Sequence, residues 1–230
     1  MKARLISYSQ PVRHVHSGDL GIMGLDNIQD LIAYCARVSN PTNQSNTKTS
    51  EKLLQYLAKH KHWSPFEMAS ATMEIETTRD IARQMLRHRS FAFQEFSQRY
   101  ADPALMGDQF VLREARLQDT KNRQNSVETN DRILQRDWEI KQQMVINASK
   151  EAYEWAIKNG IAKEQARSVL PEGNTISRLY MSGTIRSWIH FIELRSANGT
   201  QKEHMEIARE TGAAIASIFP LVNTYVNKEL

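Results

Sequence analysis

Arg87, His88 and Arg89 open the stretch of the chain richest in groups that can do chemistry. After a spacer of seven residues comes Ser97, with Glu95 two positions before it and Arg99 two positions after. Guanidinium groups this close repel one another unless an anion lies among them. Their planar forks also match phosphate oxygens. These types at this spacing predict an anion site, with phosphate the favoured charge. The competing reading is a solvated basic helix followed by a surface strand, which leaves the alignment of Glu95, Ser97 and Arg99 unaccounted for.

Two elements must position these groups. From Ile81 to Arg89 the period is helical: Ile81, Ala82, Met85 and Leu86 fall on one arc, and Arg83, Gln84, Arg87 and His88 on the other. Thr77 and Asp80 have the spacing of a capping box. From Gln94 the period becomes two, so Glu95, Ser97 and Arg99 share one face of a predicted strand, and Phe96, Gln98 and Tyr100 the other.

Composition sets the outer bounds. The 230 residues are 40% hydrophobic and 24% charged, with a net charge of +4. This fits one large globular domain, taken as residues 1–230, or two small ones, with a substantial core. The mild positive charge suits small anions and nucleic acid alike. The single cysteine, Cys35, excludes an intramolecular disulfide and a cysteine-based zinc cluster, and points to a reducing cytoplasm. No stretch reads as a signal peptide or a membrane span.

Along the chain, Ala3 to Tyr8 reads as a strand. The loop from Pro11 to Gly24 carries Gly18, Gly21 and Gly24, but not at dinucleotide-fingerprint spacing. His14 and His16 lie in the same loop without carboxylates at metal-ligand spacing. A helix capped by Asp26 runs to Val38 with Ile28, Leu31, Ile32 and Cys35 inward. Another, capped by Ser50, runs to Lys59 with Leu53, Leu54 and Leu57 inward. Residues 67–76 alternate strictly, placing Ala69, Ala71, Met73 and Ile75 on one face of a half-buried strand. Residues 101–127 are polar and aperiodic, as in a mobile excursion. A long helix over 128–159 follows, with Leu134, Trp138, Val145, Ala148, Ala152 and Trp155 as its buried stripe and Gly160 as its stop. Residues 175–183 read as a strand and 184–195 as a helix with Ile185, Trp188, Ile189, Phe191 and Ile192 inward. Arg195 projects onto that apolar side, where a charge without a ligand is costly. A capping box at Thr200–Glu203 opens a last helix to Ile218, with Met205, Ala208, Gly212, Ala213 and Ile215 packed and His204 on a solvated face.

The run from Arg87 to Arg99 closely resembles the signature of flavin-dependent thymidylate synthases, which methylate dUMP. Three further blocks share the resemblance: Ala36-Arg37-Val38-Ser39, His62-Trp63-Ser64-Pro65-Phe66-Glu67, and Ala166-Arg167-Ser168-Val169-Leu170-Pro171. It implies that Gln84, Arg87, Glu95, Ser97, Arg99, Arg167 and Arg195 hold dUMP, with Arg195 also activating the nucleotide. It implies that Ser39, Ser64, Arg87, His88, Arg89, Gln94, Glu95, Arg186 and His190 hold FAD, and that His62 lies near the flavin and folate. It further implies methylenetetrahydrofolate and NADPH as co-substrates, no metal, no protein nucleophile, and a homotetramer with shared active sites. The chain departs from the pattern in that Gln94 and His190 stand where asparagine is usual, as does Thr184, and Met68 and Gly199 stand where imidazoles are common.

The expected fold is α+β, the family's own, with a central mixed or antiparallel sheet, flanking helices and one long helix; strands and helices follow no βαβ rhythm. The alternative from another class is a nucleic-acid-binding module using Arg79, Arg83, Arg87, Arg89 and Arg99 with Phe91, Phe93, Phe96 and Tyr100, against which Glu95 stands. A helical assembly protein built on the long helix is a third.

Overall fold

The structure is a computed structural model, which describes residues 1–12, 24–102, 107 and 109–226. His14, His16, Gly18 and Gly21 lie outside the described residues, as do parts of the 101–127 segment. In chain order the elements are β1 (Lys2–Tyr8), α1 (Ile28–Ala36), α2 (Ser50–Lys59), β2 (Ser70–Thr78), α3 (Arg79–Met85), β3 (Ala92–Glu95), β4 (Arg116–Gln118), β5 (Ser126–Glu128), α4 (Arg132–Lys158), α5 (Lys163–Ala166), β6 (Ile176–Thr184), α6 (Ile185–Arg195) and α7 (Lys202–Ala216).

The fold is α+β, and its main sheet is antiparallel, in the order β1-β2-β6-β3. β2 and β6 pair along their whole length, from Ser70 opposite Thr184 to Thr78 opposite Ile176. Strict alternation explains the two faces. Ala71, Met73 and Ile75 meet Leu179 and Met181 in the core. On the other face charges match across strands: Arg4 and Arg178 pair with Glu74 and Glu76, and the Tyr180 hydroxyl donates to Glu74. β2 runs straight into α3 and β6 into α6.

α6 buries Ile185, Trp188, Ile189, Phe191 and Ile192, the face the sequence predicts. Its N-cap is Thr184, whose side chain accepts from the Ser187 amide. The Trp188 indole donates to the Ala71 carbonyl, 3.0 Å away, tying α6 to the central strand.

Several expectations are corrected. α1 is capped by Asn27, not Asp26, and stops at Ala36. Ser50 is the first residue of α2, not its cap, and Leu53 is only partly buried. α3 ends at Met85, so Arg87, His88 and Arg89 occupy the turn beyond it. Its N-cap is Thr78 rather than Thr77. Ala213 is exposed on α7.

The described part of 101–127 is tied down rather than loose. Phe110 bridges Thr175, the Val111 amide donates to Asn174, and β4 and β5 form a hairpin. Arg113 anchors it: its guanidinium reaches the Gly173 carbonyl, Thr78, Asp80 and Glu203, while its main chain brackets the Gln142 amide.

α4 corrects a larger expectation. It exists and stops at Asn159 with Gly160 in the left-handed conformation at φ 76°. Its buried residues, however, are Gln142, Ile146, Tyr153 and Ala156. The predicted stripe of Leu134, Trp138, Val145, Ala148, Ala152 and Trp155 is exposed, Trp155 at 60%. The periodicity marks an apolar face, but this chain does not cover it.

Candidate active site

The turn after α3 is set against α6 by close packing. The Phe91 ring lies over Gly183, where a Cβ would come within 2.4 Å of it, so only glycine fits. Phe91 also packs edge-on against Trp188, with centroids 4.6 Å apart. This holds His88 beside Phe191, centroids 5.1 Å apart, and within reach of the last residue of α6. Arg195 Nε donates to His88 Nε2 at 2.9 Å. His88 therefore carries its proton on Nδ1.

Two further residues join this centre from α3 and α7. His204 Nδ1 lies 3.1 Å from Gln84 Oε1, and Gln84 Nε2 donates to Gln201 Oε1 at 2.7 Å. His204 is wholly buried, contrary to the solvated face expected for it. The signal was present in the sequence: His204, Ile207, Ala208, Thr211 and Ile215 share one helical face, and all are buried.

The electrostatics are one-sided. Among the described residues, no carboxylate pairs with Arg87, Arg89, Arg167 or Arg195. Burial first, and then the nearby Arg87 charge, lowers the Arg195 pKa. Burial, then Arg195 and Arg87, holds His88 down to about 4. Burial, then Arg195 and His88, holds His204 down to about 3. Both imidazoles are neutral at physiological pH, and the uncompensated charge is that of the arginines.

These shifts fix a pH dependence of stability. In the unfolded chain both histidines protonate near 6.5. Between that value and about 4 the unfolded state binds more protons, so stability falls as pH falls. Glu172 and Glu203, whose pKa values lie below their ordinary 4.5, add their loss only at lower pH. The melting temperature is expected to drop between pH 7 and pH 5, and to drop less in His204→Asn; equal drops in the two proteins would contradict the assignment.

Beside this centre lies a neutralised one. Glu95 accepts from Arg79 at 3.2 Å and from the Ser177 hydroxyl at 2.7 Å. Arg79 also faces Glu172, which Arg83 grips through two nitrogens. The predicted row of Glu95, Ser97 and Arg99 does not form, because the strand ends at Glu95 and residues 97–100 turn, with the Tyr100 and Ala101 amides donating to the Ser97 carbonyl. Ser97 is exposed, and Arg99 pairs with Glu164 at 3.4 Å. Gln94 and Glu95 point to opposite faces of β3. The Arg/aromatic surface of the nucleic-acid alternative is thereby broken up: Arg79, Arg83 and Arg99 are paired with carboxylates, and Phe91 and Phe93 pack against the core.

Three of the remaining predicted residues lie on or against α6: Arg186, His190 and Ser64. Arg186 pairs with Glu67, and His190 packs edge-on against Trp63 at 5.0 Å. Ser64 opens the tight turn Ser64–Glu67, on which both α1 and α6 pack. His62, Ser64 and Ser39 are exposed, Ser39 just past the end of α1. Arg167 is partly exposed in the turn after α5. One chain thus brings together Gln84, Arg87, His88 and Arg195, but does not join Ser39, Ser64, Ser97, Arg99 or Arg167 to them by any hydrogen bond or ion pair among the described residues.

The residues present fit a phosphate-bearing nucleotide and a flavin: Arg87 and Arg195 are close enough to repel, Arg89 follows two residues after Arg87, and none of the three pairs with a carboxylate among the described residues. Arg186 fits less directly, since Glu67 already neutralises it. Among the described residues no group of three or more histidines, cysteines or carboxylates could hold a metal.

Known proteins resemble the chain in sequence and in fold. The family model described as thymidylate synthase complementing protein matches residues 22–221. A probable flavin-dependent thymidylate synthase of Paramecium bursaria Chlorella virus 1 is 48% identical over 222 residues, covering 96% of this chain and 97% of that protein. A flavin-dependent thymidylate synthase of Synechocystis sp. is 47% identical, with the same coverage. In fold, the chain is similar to a UMP/dUMP methylase of Streptomyces cacaoi solved with 5-Br dUMP, at a TM-score of 0.78 and 24% identity over 97% of this chain and 93% of that one.

Proposed function

The chain belongs to the thymidylate synthase complementing protein family, and from that premise we propose that it is a flavin-dependent thymidylate synthase. The reaction is the reductive methylation of dUMP to dTMP, with methylenetetrahydrofolate as carbon donor and NADPH-reduced FAD as the source of the hydride. The observation that supports it most is the cationic centre of Arg87 and Arg195 around neutral His88, which lacks a carboxylate partner among the described residues.

In this reading the guanidinium forks of Arg87, Arg99, Arg167 and Arg195 clamp the dUMP phosphate and polarise the base. Gln84, Glu95 and Ser97 meet polar edges of the nucleotide. His88 and Arg89, with Ser39, Ser64, Gln94, Arg186 and His190, hold FAD, and His62 borders the folate. When bound, the flavin supplies the two-electron chemistry. His88 keeps one donor, Nδ1–H, because Arg195 occupies Nε2. No protein nucleophile is needed. The Cys35 thiol is half-buried and its pKa is pushed up by burial, the reverse of an activated thiolate.

The assembly is a homotetramer with sites shared between copies. Supporting this, no hydrogen bond or ion pair among the described residues joins Ser39, Ser64 or Arg167 to Arg195, and α4 exposes Ile133, Met144, Val145 and Trp155. Val145→Asp combined with Trp155→Asp is expected to shift the protein to smaller species in light scattering and to lower its flavin content; an unchanged mass would exclude α4 from the interface. Among the described residues no helix is long and apolar enough to cross a membrane, and the reading places the enzyme in the cytoplasm, with no nucleic-acid partner.

The deciding experiment is anaerobic turnover of dUMP with methylenetetrahydrofolate and NADPH, with and without FAD. The expected result is dTMP only when FAD is present. No dTMP under any condition would overturn the reading.

A further inference from the structure

We propose that His204 is a positioning residue that locks the side-chain amide of Gln84 in one orientation for the nucleotide. The inference rests on the reading of Gln84 as a dUMP contact, and deepens it.

The argument starts at Glu203, two links away. Its carboxylate is held by Arg116 at 2.5 Å and Arg113 at 3.1 Å and can only accept hydrogen bonds. Gln201 must therefore turn its nitrogen to it, and does, at 3.0 Å. That leaves Gln201 Oε1 facing Gln84, so Gln84 must present Nε2, at 2.7 Å. Gln84 Oε1 then faces His204 Nδ1 at 3.1 Å, so the ring must be the Nδ1–H tautomer and donate. One ionised carboxylate thus dictates the direction of every bond along Glu203, Gln201, Gln84 and His204. Gln84 is left with one amide N–H and one carbonyl lone pair, in fixed places, for a ligand.

A merely structural role does not account for the imidazole. His204 is fully buried against Phe191, with centroids 5.7 Å apart, and its Nε2 has no hydrogen-bond partner among the described residues. A buried unsatisfied nitrogen destabilises the fold, and an aliphatic side chain of similar volume would avoid it. The ring is retained at a cost in stability, and the atom that gives it a purpose is Nδ1.

The test uses the flavin-loaded enzyme and three variants. His204→Leu fills the space without a donor, His204→Asn restores a donor near the Nδ1 position, and Gln201→Leu breaks the adjoining link. His204→Leu is expected to raise both the Kd and the KM for dUMP by about tenfold, with kcat within about threefold and Tm unchanged or higher. His204→Asn is expected to recover dUMP affinity to within about threefold of wild type, and Gln201→Leu to weaken it as His204→Leu does. Wild-type dUMP affinity in His204→Leu, a loss that His204→Asn fails to repair, or a loss carried by kcat instead of KM would overturn the proposal. Titration of the wild type separates the two readings: absence of dUMP binding there overturns the proposed function itself.

Discussion

Arg195→Ala is expected to lower kcat/KM for dUMP by about 100- to 1,000-fold, the range seen when one preorganised charge stabiliser is removed from a site, while leaving the melting temperature unchanged or raised. The two effects have one cause. Arg195 lies at the end of an apolar helix face, its charge disfavoured by burial and by Arg87, and its Nε spent on a neutral imidazole. Without ligand, removing it relieves repulsion and desolvation; with ligand, it removes a charge-assisted fork. Arg195→Lys should keep the charge but lose the fork, and fall between wild type and Arg195→Ala. Steady-state kinetics, dUMP calorimetry and thermal melts on the same preparations check this. A variant with near wild-type kcat/KM, or one that loses activity only because it melts earlier, would count against Arg195 as a ligand residue.

Glu203→Ala is expected to destabilise the chain by about 3–5 kcal/mol, the cost of leaving a buried ion pair half broken. Glu203 is 7% exposed and faces Arg113 and Arg116, whose side chains are themselves almost covered. Arg113 keeps Asp80 as a second partner and Arg116 keeps Glu114 at 3.3 Å, which limits the loss. Urea unfolding measures it. Combining Glu203→Leu with Arg116→Met should recover much of the stability, because no carboxylate or guanidinium is then stranded in that pair. It should not recover dUMP affinity, since Gln201 loses the acceptor that orients it. A Glu203→Ala protein as stable as wild type would show that the cluster is solvated in solution.

The elements carrying these residues were legible to different degrees. Strict alternation placed Ala71, Met73 and Ile75 of β2 correctly, because a half-buried strand has only two faces. The apolar arc of α6 was equally clear, and Arg195 stood out on it as a charge in the wrong company. In the sequence Arg87–Arg89 reads as helix because helical spacing persists past Met85, and the Phe91–Gly183 contact beside the turn joins residues far apart in sequence. Spacing alone puts Ser97 and Arg99 in a strand, but the last backbone bond to β6 is that of the Phe96 amide to the Arg178 carbonyl, after which the chain turns. Arg113 gave no signal within a polar, aperiodic segment, because its meaning lies in Asp80 and Glu203. α4 shows a different limit: an apolar period identifies a face that seeks cover, not the surface that covers it. For His204 the period was informative and the residue type misled, since imidazole reads as a surface group until its partner, Gln84, is known.

The full-length pairing of β2 with β6 also sets the order of events in time. These strands are separated by roughly 100 residues, and closing a loop of that length costs about 4 kcal/mol of chain entropy before any contact rewards it. The pairings of β6 with β2 and β3 wait on β6, as does α6, which continues from it. A nascent chain released as far as α4 holds Gln84, Arg87 and His88 but neither Arg195 nor His204, and so has no half-built site to occupy. Folding should accordingly be slow for a chain of this size, with a single late step in which sheet and site appear together.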